Sequence, residues 1–250
     1  MTHKRRWSSL ILVLGAVAFA REGWAEDQSA RQILQRAIQS VGGERTVARL
    51  KLPMMWMDRG TFYGMGQELP YVAQYAAKWP LWYRQEVENA FTITISGKKA
   101  WVSNADGVQK LAGADLQERM KQTRVAWAER LFPLTDKAYK LHAIDGIQVG
   151  GRATLGIRAS HPDGRDIKFY FDEQTCLIAK IETMVISPLE GASPDPVLSE
   201  SYFSDHKSFG GVTMPSKLKL YYDRQLIVEA ETIDYKIAAT LDPRHFAEPQ

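Results

Sequence analysis

The sequence predicts a mainly β, α+β protein built on a single, strongly curved antiparallel sheet of about 9–11 strands. An N-terminal and a mid-chain helix cover the concave apolar face. Three observations carry this. Beyond about Leu52, apolar residues recur at period two. Turn signals punctuate that alternation at the spacing of a meander. Helical periodicity is confined to two segments, one at the start and one in mid-chain.

Taken in order, the chain opens on a basic head (Lys4, Arg5, Arg6), the apolar run SSLILVLGAVAFA, and small residues that offer cuts after Ala20 or Ala25. This is the layout of a secretory signal peptide over residues 1–25, with residues 26–250 as one domain. The run is shorter than the roughly 20 apolar residues of a membrane span, so no stable membrane insertion is expected after cleavage. Next comes a helix over Ala30–Val41. Ile33, Leu34, Ala37, Ile38 and Val41 share one face, and Gly42-Gly43 ends it, since glycine takes a left-handed cap without a Cβ penalty.

The strands follow. Phe91, Ile93 and Ile95 alternate with polar residues, as do Leu155 with Ile157 and Phe169 with Phe171. Leu177, Ala179 and Ile181 are read on one face of their strand, and Leu218, Leu220 and Tyr222 on one face of theirs. Such strands bury one face and wet the other. Ser96-Gly97, Asp106-Gly107, Asp145-Gly146, Asp163-Gly164 and Asp172-Glu173-Gln174 supply turns. Between two strand blocks, Gly113–Thr135 reads as helical, with Leu116, Met120, Trp127 and Leu131 on one side and Asp115 as N-cap. Three prolines mark a loop over Ser187–Val197, and Leu241 and Phe246 are expected to plug the sheet from the tail. In YFSDHKSFGGVTMPSKLKLYYD, Gly210-Gly211 makes a tight turn between two strands. Asp205 and His206 have no third member in sequence reach for a catalytic set.

Composition and motifs exclude several classes. The chain carries 32 Lys+Arg and 29 Asp+Glu; a cut after Ala20 removes Lys4, Arg5 and Arg6 and leaves 29 of each, and a cut after Ala25 also removes Arg21 and Glu22 and leaves 28 of each. The domain is formally neutral, so nucleic acid is not an expected partner. A single cysteine, Cys176, allows no intrachain disulfide. His142, His161, His206 and His245 are scattered and form no HExxH, so no metal site or cofactor is expected. No GxSxG elbow occurs. Ser96-Gly97-Lys98 lacks the phosphate loop's first glycine, since Thr92 stands there, and Gly64-Met65-Gly66 lacks a third glycine. The expectation is a protein that is not an enzyme and has no catalytic residues. The tryptophans within the fold serve either as core or as lining for an apolar ligand.

Four segments occur in order: ILQRAIQSVGGERTVARL, IKFYFDEQTCLIAKIET, FSDHKSFGGVTMPSKLKL and IDYKIAATLDPRHFAEP. Together they resemble the periplasmic outer-membrane lipoprotein carrier (Lol-type) superfamily, in its divergent lipoprotein-sorting-protein branch. Cys176 departs from that pattern, standing where the hairpin turn usually has glycine. The resemblance implies an unclosed β-barrel with helices as a lid over an apolar cavity. It also implies a periplasmic, monomeric, non-enzymatic protein that carries or senses an acyl chain, lipid or lipoprotein. The same fold used as an interaction or sensor module for another envelope protein is the second reading. Candidate lining residues are Trp56, Phe62, Tyr83, Phe91 and Ile93 from the early strands. Leu116, Met120 and Trp127 come from the mid-chain helix, and Leu155, Ile157, Phe169 and Phe171 from later strands. An acyl-gating arginine of the family is best matched by Arg59 in MDRGTF.

Overall fold

In the computed structural model the described residues are 15–189 and 191–249. Residues 1–14, which hold the basic head and much of the apolar run read as a leader, lie outside them. Helix α1 spans Gly15–Ser40 and buries Ala30, Leu34, Ala37 and Ile38. It ends as its glycines require: Gly42 and Gly43 have φ of 119° and 80°, and the Gly43 N–H donates to the Ile38 carbonyl at 2.9 Å. A short helix α2, Glu44–Ala48, follows.

The first meander is β1 (Met54–Phe62), β2 (Leu69–Lys78), β3 (Trp82–Val87), β4 (Phe91–Ser96), β5 (Lys99–Asn104) and β6 (Gly107–Lys110). Helix α3 (Gly113–Ala128) and a 3-10 turn at Phe132–Thr135 lead to the second block. That block is β7 (Lys140–Ile144), β8 (Gln148–Val149), β9 (Arg152–Ser160), β10 (Ile167–Asp172), β11 (Ile178–Ile186), β12 (Pro196–Phe209), β13 (Val212–Tyr222) and β14 (Gln225–Ile237). The order across the sheet is β6-β5-β4-β3-β2-β1-β14-β13-β12-β11-β10-β9-β7, with β8 paired to β9. The sheet thus joins two meanders along the β1–β14 seam and stays open between β6 and β7. It holds 14 strands, more than periodicity counts. All four residues of β6 are exposed and β8 has two residues, so neither carries a buried-face alternation.

Because α3 connects β6 at one sheet edge to β7 at the other, it crosses between the free edges. Glu118 of α3 pairs with Arg165 and accepts from the Ile186 N–H at 3.1 Å, fastening the helix to the end of β11. Asp115, expected as N-cap, sits instead in the first turn; Ala112 is the N-cap and no side chain caps the helix. An acidic residue there still favours the helix dipole.

Two cores result. One packs α1, the end of α3 and the Phe132–Thr135 turn onto β7 and β9–β11, with Leu134, Leu141, Ile157, Phe169, Phe171 and Ile181 at most 2% exposed. The other gathers Leu50, Met54, Ala77, Trp79, Val212 and Met214. One face assignment changes. Tyr170 pairs with Lys180 but Phe171 with Ile178, so the register slips by one and Ala179 is the extra residue. Ile178, rather than Ala179, joins Ile181 on the buried face beside Phe169 and Phe171. In the turn before it, Cys176 takes a φ of 55°, the left-handed conformation that glycine adopts without strain. At the tail, Phe246 is buried as the Pro243–Phe246 turn packs on β3 and β4.

Candidate functional site

A cavity of ≈ 220 Å³ lies between the sheet and the C-terminal end of α3. Its wall follows from strand pairing. Trp56 of β1 is opposite Tyr75 of β2 on one side and Tyr235 of β14 on the other, so the three rings share a face. Trp56 and Tyr75 stack at 4.6 Å with 4° between planes; Tyr235 lies 6.2 Å and Tyr83 6.3 Å from Trp56. Phe203, Met214 and Leu218 close the far side, and α3 with the residues just after it supplies Ala126, Glu129 and Arg130. The Arg130 guanidinium lies over Trp56 at 5.3 Å and over Tyr235 at 5.9 Å, within cation–π range.

Beyond Arg130 is a second lobe of ≈ 50 Å³, which shares Glu129, Arg130, Phe203, Met214 and Pro215 with the first. His206 borders this lobe because of a local break in β12. Asp205 has a φ of 54° and drops out of the ladder between Ser204↔Lys217 and His206↔Pro215. Its carboxylate turns outward to Lys207 at 3.3 Å and Lys217 at 3.6 Å, while His206 lines the cavity. Aspartate is among the few non-glycine residues that tolerate this region.

The cavity is not purely apolar. Asp58 sits in the wall and accepts from Thr232 Oγ1 at 2.8 Å. Burial pushes its carboxyl above the usual range, with the Thr232 hydrogen bond and the Arg130 charge pulling it back in part. Burial pushes Glu129 up to about 7, with Arg130 only partly opposing. Burial likewise raises the phenols of Tyr75, Tyr83 and Tyr235, so the aromatic wall stays neutral. Chemically, the arrangement offers flat ring faces to apolar matter, the guanidinium of Arg130 over two of them, and the carboxyls of Asp58 and Glu129.

The Glu129 shift fixes the sign of a pH effect. A carboxyl with a folded value near 7 and an ordinary value of 4.5 binds more protons folded than unfolded between those limits. Stability contributed by this group is therefore full below about 4.5 and falls as pH rises toward 7. In urea titrations, Glu129→Gln should remove that decline, leaving a flatter stability profile across the window than the parent chain.

Trp56 and Tyr83 stand on the cavity wall. Ile157, Phe169 and Phe171 lie fully buried beneath α1, and Leu155, paired with Phe171, flanks them. Trp127 stacks on Trp79 at 5.7 Å in the second core. Ile93 is buried and Phe91 part-buried on β4; Leu116 and Met120 are part-buried on α3; Phe62 is part-buried at the end of β1. None of these five borders either lobe. Arg59 has a side chain 66% exposed, lies 3.9 Å from Glu231, and follows Asp58 onto the opposite face. The arginine of the cavity is Arg130. The sequence does not place it in a cavity, nor Asp58, Glu129 or His206, which is read only beside Asp205; the one available signal is the Glu129-Arg130 pair set inside the apolar stripe between Trp127 and Leu131. Among the described residues no group of three or more His, Cys, Asp or Glu converges as a metal site would need, and no helix is long and apolar enough to cross a membrane.

No family model matches the sequence, and no curated protein matches it. Solved structures share its fold. A LolA superfamily protein from Nitrosomonas europaea aligns with a TM-score of 0.58 at 13% identity, covering 87% of this chain and 97% of the other. A DUF1329 family protein from Desulfovibrio piger gives 0.56 at 10% identity, with 87% and 97% covered. A domain from Vibrio parahaemolyticus named for outer membrane lipoprotein sorting gives 0.51 at 10% identity, with 88% and 97% covered. The fold is therefore the Lol-type fold in a divergent form.

Proposed function

We propose that this chain is a non-enzymatic periplasmic binding protein, exported by a leader cut after Ala20 or Ala25, that receives an acyl chain of a lipid or lipoprotein. The observation that carries the reading is the aromatic cavity of ≈ 220 Å³ beneath a helix tied to both free sheet edges. Burying a methylene is worth about 0.8 kcal/mol, so a chamber walled by aromatic faces suits a chain that must cross water. Pockets for drug-sized ligands run from about 300 to 1,000 Å³. At its present volume the cavity accepts the end of one chain, and a larger cargo requires α3 to lift. The neighbour named for lipoprotein sorting supports the same direction.

The test is native mass spectrometry of monomeric protein purified from periplasm, followed by titration of the stripped protein with a fluorescent fatty acid. Bound lipid in the first and saturable uptake in the second are expected. A clean apo mass together with no uptake would overturn the proposal. Docking of another envelope protein is the second reading, and β6 favours it. All four of its residues are exposed and it ends the sheet order, the position from which strand addition proceeds.

A further inference from the structure

Two buried nitrogens beside the small lobe have no hydrogen-bond partner: Arg130 Nε and His206 Nε2. Both residues border the ≈ 50 Å³ lobe. Arg130 has no carboxylate within ion-pair distance among the described residues. The neighbour of its Nη1 is the Met214 sulfur at 3.7 Å, a weak acceptor. The two carboxyls beside it, Asp58 and Glu129, are not at ion-pair distance from the guanidinium; Asp58 accepts from Thr232, and burial raises both carboxyls above their ordinary range. Arg130 is part-buried, and its buried Nε–H without an acceptor is unfavourable; an anion that supplies acceptor oxygens removes that penalty. Space agrees. The small lobe, at ≈ 50 Å³ against ≈ 220 Å³ for its neighbour, suits the compact head group, and the tail suits the larger lobe. The larger lobe beside it presents the faces of Trp56, Tyr75 and Tyr235. A cationic head group is disfavoured, because Arg130 already lies over two of those rings.

We propose that the cavity selects amphiphiles with an anionic oxygen head group, a carboxylate or a phosphate, seated against Arg130 and His206 with the tail on the aromatic wall. This rests on the acyl-binding reading and adds to it the charge and the direction of the ligand. Hydrogen bonds to charged groups contribute about 1.5–3 kcal/mol, so the preference for an anion over a neutral head should be roughly tenfold or more.

The experiment follows tryptophan fluorescence of the full domain during titration with dodecanoate, dodecyl phosphate, dodecanol and phenyl phosphate. The parent chain should bind the two anionic amphiphiles at least about tenfold tighter than dodecanol. Arg130→Gln should bring that ratio close to one, and Arg130→Lys should keep most of it. Comparing dodecanoate with dodecyl phosphate identifies the preferred head group, and either preference supports the proposal. The ratio in the parent chain needs no variant, so a poorly folding substitution leaves the test intact. Equal affinity for dodecanol and both anions in the parent chain overturns the anion site while acyl binding stands. Binding of phenyl phosphate alone, lost in Arg130→Gln, upholds the anion site and overturns acyl carriage. No binding of any probe overturns both.

Discussion

Phe169→Ala should lower the stability of the fold by about 3–5 kcal/mol, read as a lower urea midpoint at an unchanged slope. The side chain is fully buried, faces Ile157 on β9 and Ile181 on β11, and stacks on Phe171 at 6.3 Å. It holds the sheet and α1 in one core, so truncation removes contact area on several sides and leaves a void with little room to collapse. An exposed apolar control such as Ile233→Ala should stay within about 0.5 kcal/mol. Fatty-acid affinity in the folded variant should be unchanged, because Phe169 lies under α1 and borders neither lobe. A loss of affinity without a loss of stability would instead place Phe169 at the ligand.

Lys180→Ala should be about as damaging, by roughly 3–5 kcal/mol, for an electrostatic reason. The side chain of Lys180 is 6% exposed, and its ammonium lies 2.7 Å from Glu182 and 2.5 Å from Glu200. Those carboxylates are 13% and 12% exposed and take further hydrogen bonds from Tyr170 and Tyr202. Removing the cation leaves Glu200 without an ion pair among the described residues and Glu182 with only the half-exposed Lys168 at 3.4 Å, and the two enclosed carboxylates face one another across the strands. In the parent chain, burial works against ionising Glu182, but Lys180 and, to a lesser degree, Lys168 together outweigh it and hold the carboxyl below its ordinary value of 4.5. The stability from this depressed carboxyl is present above about 4.5 and is lost as pH falls through the folded value. The gap between parent and variant in urea should therefore narrow below about pH 4.5, where the stranded carboxyls protonate. A gap independent of pH would mean that lost packing, not stranded charge, dominates. Replacing all three residues with apolar ones of similar volume should recover much of the loss.

The architecture was legible where one face of a strand is wet. Ile157, Phe169 and Ile181 fall on the buried face in sequence and in structure alike, and Gly42-Gly43 and Gly210-Gly211 turn the chain where they were expected to. The cavity was legible only through its rings, Trp56 and Tyr83. Its charged members depend on events that periodicity does not encode. His206 faces inward through the positive φ of Asp205. Glu129 and Arg130 follow the last turn of α3, just before Leu131 breaks direction at a φ of 61°. Asp58 is polar on a wall otherwise built of aromatics, so binary patterning assigns it to solvent. Trp101 on β5 is 3% exposed and its neighbour Ala100 0%, so both faces of the sheet are covered at that point and alternation alone does not reveal it.

The seam between β1 and β14 has a consequence for how the sheet assembles. Every other neighbour pair, apart from the β7–β9 pair around β8, joins strands consecutive in the chain, whereas Met54 meets Ile237 across 183 positions. Contacts of such long sequence separation bear the largest loop-closure entropy and slow folding accordingly. During synthesis from the N-terminus, the first meander and α3 are complete long before β14 exists. Until then β1 is an open edge strand, the hazard that closed pairing removes. The aromatic row of Trp56, Tyr75 and Tyr235 straddles that seam, so the cavity wall is complete only when the last strand arrives.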